Sequence, residues 1–176
     1  KEQVDLIVTL HLAYSPSLES AGILAATELP LLLLDTTMDA SFGQDVSPER
    51  IMFNHGIHGV QDLASVLRRM GKHFEIVAGH FEQSEVLERA AGIARAALAA
   101  KCLRTTRALR IGAAFEGMGD FAPPESVMET ALGIQTEQIN VEDLASEAAF
   151  VTSDAIEEEL QRDRERFAVE APDEVH

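Results

Sequence analysis

His55 and His58 stand three residues apart in Ile51-Met52-Phe53-Asn54-His55-Gly56-Ile57-His58-Gly59, and a glycine follows each of them. An imidazole can ligate a metal or hydrogen-bond through either ring nitrogen, and residues three apart share one face of a helix. Three uses of the pair are open. A self-contained transition-metal site needs three or four ligands, yet no cysteine is near and the closest acid, Asp62, lies a turn further on. The pair can instead cap a helix or hydrogen-bond a loop. Or it can face a small polar ligand within a larger site, where glycines at 56 and 59 let the backbone approach closely.

Two more histidines, His11 and His80, each end an apolar run that reads as a strand. In open α/β sheets, ligands bind outside the carboxyl ends of the strands. A strand-end histidine is commonly a satisfied edge residue; His11, His80 and the 55/58 pair together suggest a polar site on one sheet edge. Other chemistries find no support. Ser15 and Cys102 have no base at motif spacing, and Gly112-Ala113-Ala114-Phe115-Glu116-Gly117 has neither a dinucleotide fingerprint nor the lysine of a P-loop. Glu157-Glu158-Glu159 reads as a solvated helix face.

The elements that must position these residues follow from hydrophobic patterning. Val4 to Leu10 and Leu29 to Asp35 are short apolar runs, read as buried parallel strands. Ser15-Pro16 is expected to start the helix between them, running to about Thr27. Ser47-Pro48 is expected to cap a short turn. Val60, Leu63, Ala64, Leu67 and Met70 fall at helical spacing, with Gly71 as the stop. Phe74 to Ala78 reads as a third strand, Gln83 to Lys101 as a long alanine-rich helix, and Ala108 to Gly112 as a fourth strand of the same sheet. Beyond Gly117 the texture changes: Phe121-Ala122-Pro123-Pro124 breaks the pattern, and 127–132 and 134–139 read as short strands. Asn140 is placed to cap a helix reaching Phe150, Asp154 to Phe167 reads as a charged helix, and the tail after Ala168 as frayed and acidic.

The expected fold is therefore α/β. Three layers, a parallel sheet flanked by helices in a Rossmann-like or flavodoxin-like arrangement, occupy residues 1–116. Residues 117–176 form an acidic β/α extension leading into, or belonging to, the next domain. The composition bounds the function. The chain has 176 residues, is 46% hydrophobic and only 5% aromatic, and lacks Trp, so aliphatic side chains fill the core. No run approaches a membrane span. The net charge is −16, with 15 acids against 11 bases up to residue 120 and 15 against 3 beyond it. Such a surface repels nucleic acid and anionic membranes. One cysteine cannot form an internal disulfide, which fits a reducing cytoplasm. The chain opens at Lys1 without an initiator Met, enters a strand almost at once, and reads as a piece of a longer protein.

Four blocks in order, between about Val4 and Leu144, carry a resemblance. Leu10-His11 with Tyr14-Ser15-Pro16 is similar to a Leu-His-Thr-Phe-Ser-Pro segment, with one residue inserted. Asn54-His55-Gly56-Ile57-His58-Gly59 resembles Asn-Gln-Ser/Thr-Ala-His-Gly. Gly79-His80-Phe81 is similar to Gly-His-Trp, and Arg110-Ile111-Gly112 to Arg-Phe/Ile-Gly. The family with these blocks is that of the L-arabinose and L-fucose isomerases. The resemblance implies a metal-dependent aldose–ketose isomerase that moves a hydrogen between C1 and C2 of an open-chain sugar, with a divalent metal, typically manganese.

The resemblance also implies roles. Its metal ligands, two glutamates and two histidines, lie in blocks outside this chain, so neither a metal nor another cofactor is expected in the fragment, and no catalytic residue. His58 matches a histidine that reaches the sugar from a neighbouring subunit, which implies a homo-oligomer. His55 takes the place of a glutamine, and Phe115 that of a methionine lining the pocket. With His11 and His80 these complete the substrate-binding candidates. Ala113-Ala114-Phe115-Glu116 departs from the family's Asp-Asn-Met-Arg, and these changes suit a divergent member with another substrate. A rival expectation is one lobe of a periplasmic-binding-protein-like sugar regulator, without catalysis. A structural or oligomerisation domain is the third.

Overall fold

A run of four leucines ending in an aspartate, Leu31 to Asp35, carries no polar alternation, so both faces of its strand must be covered. The computed structural model describes residues 4–121, 123–168 and 170, and it covers both faces. The acidic tail after Ala168, Glu170 aside, and Ala122 of the breaker lie outside the described residues. The chain divides into two units, Lys1–Leu103 and Arg104–His176.

The first unit runs β1 (Ile7–Leu10), α1 (Leu18–Ala26), β2 (Leu31–Thr37), a 3-10 segment (Pro48–Asn54), α2 (Gly56–Arg69), β3 (Glu75–His80) and α3 (Val86–Arg104), whose last residue crosses the boundary. The sheet is parallel with order β1-β2-β3, as expected of a Rossmann-like or flavodoxin-like α/β fold. Side chains alternate across a strand, so β2 feeds two cores. Leu31 and Leu33 pack with Ala21 and Leu24 of α1 and Val60, Leu63 and Leu67 of α2. Leu32 packs on the other face with Val77 and Val86, and Ala90 and Ile93 of α3 close over them. Each fully buried leucine contributes roughly 1.5–3 kcal/mol. Gly71 at φ 76° ends α2, and Lys72 returns its N–H to Leu67 O at 3.0 Å.

Two expectations about this unit change. Ser15 does not start α1: its Oγ turns back to Ala13 O at 3.4 Å, and the helix begins at Leu18 after a buried Ser17. The strand expected at 108–112 does not join the sheet. It is β4 (Arg107–Ile111) of the second unit, paired in parallel with β5 (Gln135–Ile139) in a separate two-stranded sheet.

A parallel pair needs a crossover, and this is where the expected strand at 127–132 fails. The segment is α4 (Glu125–Leu132). Pro124 stands at its start and Gly133, at φ 76°, at its end; these helix boundary signals outweigh the β-leaning Val127. Next come α5 (Val141–Ala148), with Asp143 accepting the Asn140 N–H at 3.4 Å, and α6 (Ser153–Arg166), capped by Thr152. On α6 the expected solvated acids are paired along the helix, Glu158 to Arg162 at 2.9 Å and Glu157 to Arg164 at 3.7 Å. Among the described residues no helix is long and apolar enough to cross a membrane.

Candidate functional site

Parallel pairing puts the carboxyl ends of β1, β2 and β3 on one edge. Leu10 lies opposite Leu34, and His11, just beyond, donates its N–H to Leu34 O at 3.4 Å. Thr37 lies opposite His80. The first turn of α2 comes down on this same edge, and its two glycines are the reason that it can. A Cβ at Gly56 would stand 2.2 Å from His11 O and 3.3 Å from Asp35 Oδ1. One at Gly59 would stand 2.8 Å from His11 Nδ1 and 3.0 Å from Ala13 O. Glycines three residues apart therefore seat the helix directly on the strand ends.

His55 immediately precedes α2 and His58 lies in its first turn, so their rings meet, with centroids 4.4 Å apart. Tyr14 completes the group from the β1–α1 loop. Its ring stacks on His55 at 5.6 Å and 25°, and lies 6.1 Å from His58. Both imidazoles are half-buried, and each has a buried Nδ1 without a hydrogen-bond partner among the described residues. His58 also borders an open cavity of about 500 Å³, whose other walls include Thr37, Phe42, Val46, Ile51 and Ile57. Aromatic and imidazole rings with one edge open to such a cavity can stack on or hydrogen-bond a small polar ligand.

A polar frame fixes the loop that walls the cavity. Asn54, 7% exposed, accepts the N–H groups of Met38 (2.9 Å) and Asp39 (3.1 Å) and donates to Asp39 Oδ2 (2.6 Å) and Arg50 O (2.9 Å). Arg50 grips the Asp39 carboxylate with two N–H groups at 3.0 and 2.7 Å and lies over the Phe53 ring. The hydrogen bonds from Arg50 and then Asn54 hold the Asp39 carboxyl below its ordinary range.

Beneath α2 lies a second pair, His11 and Asp35, 7% and 1% exposed. Burial pushes His11 down and Asp35 up, and in each case the partner's charge opposes the shift. Neither ring nitrogen of His11 has a hydrogen-bond partner among the described residues, nor does Asp35 Oδ2.

The sequence-derived candidates thus separate. His55 and His58 come together, with Tyr14. His11 is buried below them. His80 ends β3 with its Nδ1 accepting the N–H groups of Glu82 and Gln83, both at 3.1 Å, while its ring stacks on Phe81. Phe115 belongs to the second unit, where it is 79% exposed and 6.0 Å from the Phe121 ring. Sequence reasoning missed Asp35, Asp39 and Arg50, and took Tyr14 only as part of a resemblance. The signal for Asp35 was present, a lone acid ending a strand that had to be covered on both faces. No three His, Cys, Asp or Glu side chains converge to hold a metal among the described residues, so the manganese that the resemblance implies finds no ligand set here.

Comparison with known proteins gives this geometry a context. The L-arabinose isomerase from Thermotoga petrophila is 27% identical over 163 residues, which cover 92% of this chain and 33% of that protein. The L-arabinose isomerase of Mycolicibacterium smegmatis is 27% identical over 170 residues, 94% of this chain and 33% of that protein. That of Geobacillus kaustophilus is 31% identical over 112 residues, 63% of this chain and 23% of its own length. The chain thus spans about a third of the first of these relatives. The family defined by the L-arabinose isomerase N-terminal domain matches residues 1–105, which contain β1 to β3, the Tyr14-His55-His58 group and the buried pair. On that match, over more than half its length, the chain belongs to the L-arabinose isomerase N-terminal domain family.

Proposed function

We propose that this chain is the N-terminal part of a cytoplasmic aldose–ketose isomerase and supplies substrate contacts and subunit interface, while a divalent metal, manganese, is held by residues outside it. The carrying observation is His58. It stands on the first turn of a helix seated at the sheet's carboxyl edge, half-open beside a cavity and packed on His55 and Tyr14. In this reading the imidazole of His58 hydrogen-bonds an oxygen of the open-chain sugar, His55 and Tyr14 set its orientation, and the cavity wall excludes water from one side of the ligand. A divalent metal held by residues outside this chain would supply Lewis-acid polarisation of the sugar oxygens. Homo-oligomerisation brings this edge to a neighbouring subunit's site.

Where the resemblance has glutamine and methionine this chain has His55 and Phe115, which favours a sugar other than L-arabinose. A titratable ring replaces a neutral amide, and a rigid ring replaces a flexible thioether. The regulator-lobe reading rests only on a shared β-α-β pattern, whereas the family match and the Tyr14-His55-His58 group favour the isomerase.

The test is His58→Ala in the full-length protein. Loss of one hydrogen bond worth about 1–3 kcal/mol should lower kcat/KM roughly 5- to 150-fold with little change in melting temperature. Unfolding of the domain without a specific effect on sugar handling would show that His58 is structural.

A further inference from the structure

Asp35 is the one acid of β2, and a buried carboxyl group without full hydrogen bonding is costly, so a strand of leucines does not hold it without consequence. Three observations describe what it does. It is 1% exposed and its Oδ2 has no hydrogen-bond partner among the described residues. Its Oδ1 lies against Gly56, within 3.3 Å of where a Cβ would be. It is electrostatically coupled to His11, whose carbonyl oxygen and Nδ1 bear on Gly56 and Gly59. Meanwhile α2 has no acidic residue in its first turn and no side-chain cap from His55. The positive end of a helix favours negative charge within its first turn, and the Asp35 carboxyl group approaches that turn from the strand beneath.

We propose that Asp35 is a positioning residue: its carboxyl group under Gly56 sets the first turn of α2 and, through it, the placement of the His55 and His58 rings over the sheet edge. The chemistry is local. Gly56 sits between the two histidines, so a shift of the turn relative to Asp35 moves both rings, and they are packed closely enough, at 4.4 Å, for each to sense the other. This inference rests on the reading of His58 as substrate-facing for its functional meaning, but not for its geometry.

The experiment is side-chain NMR of the full chain, following the ring protons of His55, His58 and the exposed His73, which lies in the β3 approach and serves as an internal reference. Asp35→Asn keeps the shape and removes the ionisable carboxyl group. The expected result is a shift of the His55 and His58 resonances with His73 unmoved. A folded Asp35→Asn chain with unshifted His55 and His58 overturns the proposal. If that variant does not fold, His11→Gln probes the same junction from the other side. The same shifts then support the proposal, and unmoved resonances overturn it. In the full-length protein, shifted resonances with unchanged KM and kcat would leave Asp35 as a positioning residue and sink only the substrate role of His58.

Discussion

A methyl group at Gly56 would meet a backbone oxygen at 2.2 Å, and backbone cannot swing aside as a flexible side chain can. Alanine is the better helix former by about 1 kcal/mol, so propensity alone predicts that Gly56→Ala stabilises. The overlap decides otherwise, because overpacking costs about 1–3 kcal/mol or more. Gly56→Ala should therefore lower the urea midpoint. Gly22, inside α1 with nothing within 4 Å of its added Cβ, is the control. Gly22→Ala should raise stability by about 0.5–1 kcal/mol. Equal effects at both positions in urea melts would contradict the close seating of α2. His11 makes a second prediction at this scale. Burial holds its folded value below the ordinary 6.5, so between 6.5 and that lowered value the unfolded chain binds more protons than the folded one. Stability should fall as pH drops through this window. Asp35, raised by burial, works the other way at lower pH, since its protonation as pH falls relieves a cost present above it. Denaturation at pH 7.5 and just below 6.5 should show a loss in the wild type that His11→Leu lacks.

Elements were legible wherever a strong local signal agreed with the packing. Val60, Leu63 and Leu67 announce α2 and all three are buried; the leucines of β2 announce a doubly covered strand. The second unit was harder to read, for a physical reason. Arg107 to Ile111 mixes two arginines with Ala108, Leu109 and Ile111, which fits any half-exposed strand, and only its partner, β5, tells which sheet it joins. Partner choice is non-local and leaves no mark on the strand itself. Likewise 127–132 has the β-leaning Val127, but helix boundaries at Pro124 and Gly133 decide the matter. At the site, the histidine pair and its glycines were visible because their spacing carries the geometry. The Asp39-Arg50-Asn54 frame was not, because its members meet across a loop whose path the sequence does not specify. That frame predicts an element-level effect. Asn54→Ala removes the acceptor of two backbone N–H groups, so hydrogen exchange at Met38 and Asp39 should quicken while amides within α3 stay protected. Unchanged exchange at Met38 and Asp39 would mean that the frame does not hold the loop.

At the scale of the whole molecule, the active chemistry of a metal-dependent isomerase needs a ligand set that fixes one cation beside the substrate. This chain matches about a third of the isomerases it resembles, and among its described residues no three potential ligands converge. Many large hydrophobic side chains are nonetheless exposed at the site edge and beyond, among them Leu12, Tyr14, Leu18, Phe42 and Phe53. Exposed apolar groups on this scale are more typical of surfaces that meet another chain or domain, while the charge of −16 opposes indiscriminate association. The two facts together predict a protein that binds without turning over. The purified 176-residue chain, supplied with manganese and aldoses, should show no isomerisation above background, and light scattering should find a defined oligomer rather than a monomer or an aggregate. Adding the remainder of the full-length protein as a separate chain should restore metal-dependent turnover if the edge bearing His58 completes the site in trans. Turnover by the isolated chain alone would mean that a ligand set exists outside the arrangement described, and that the division of labour proposed for this domain is wrong.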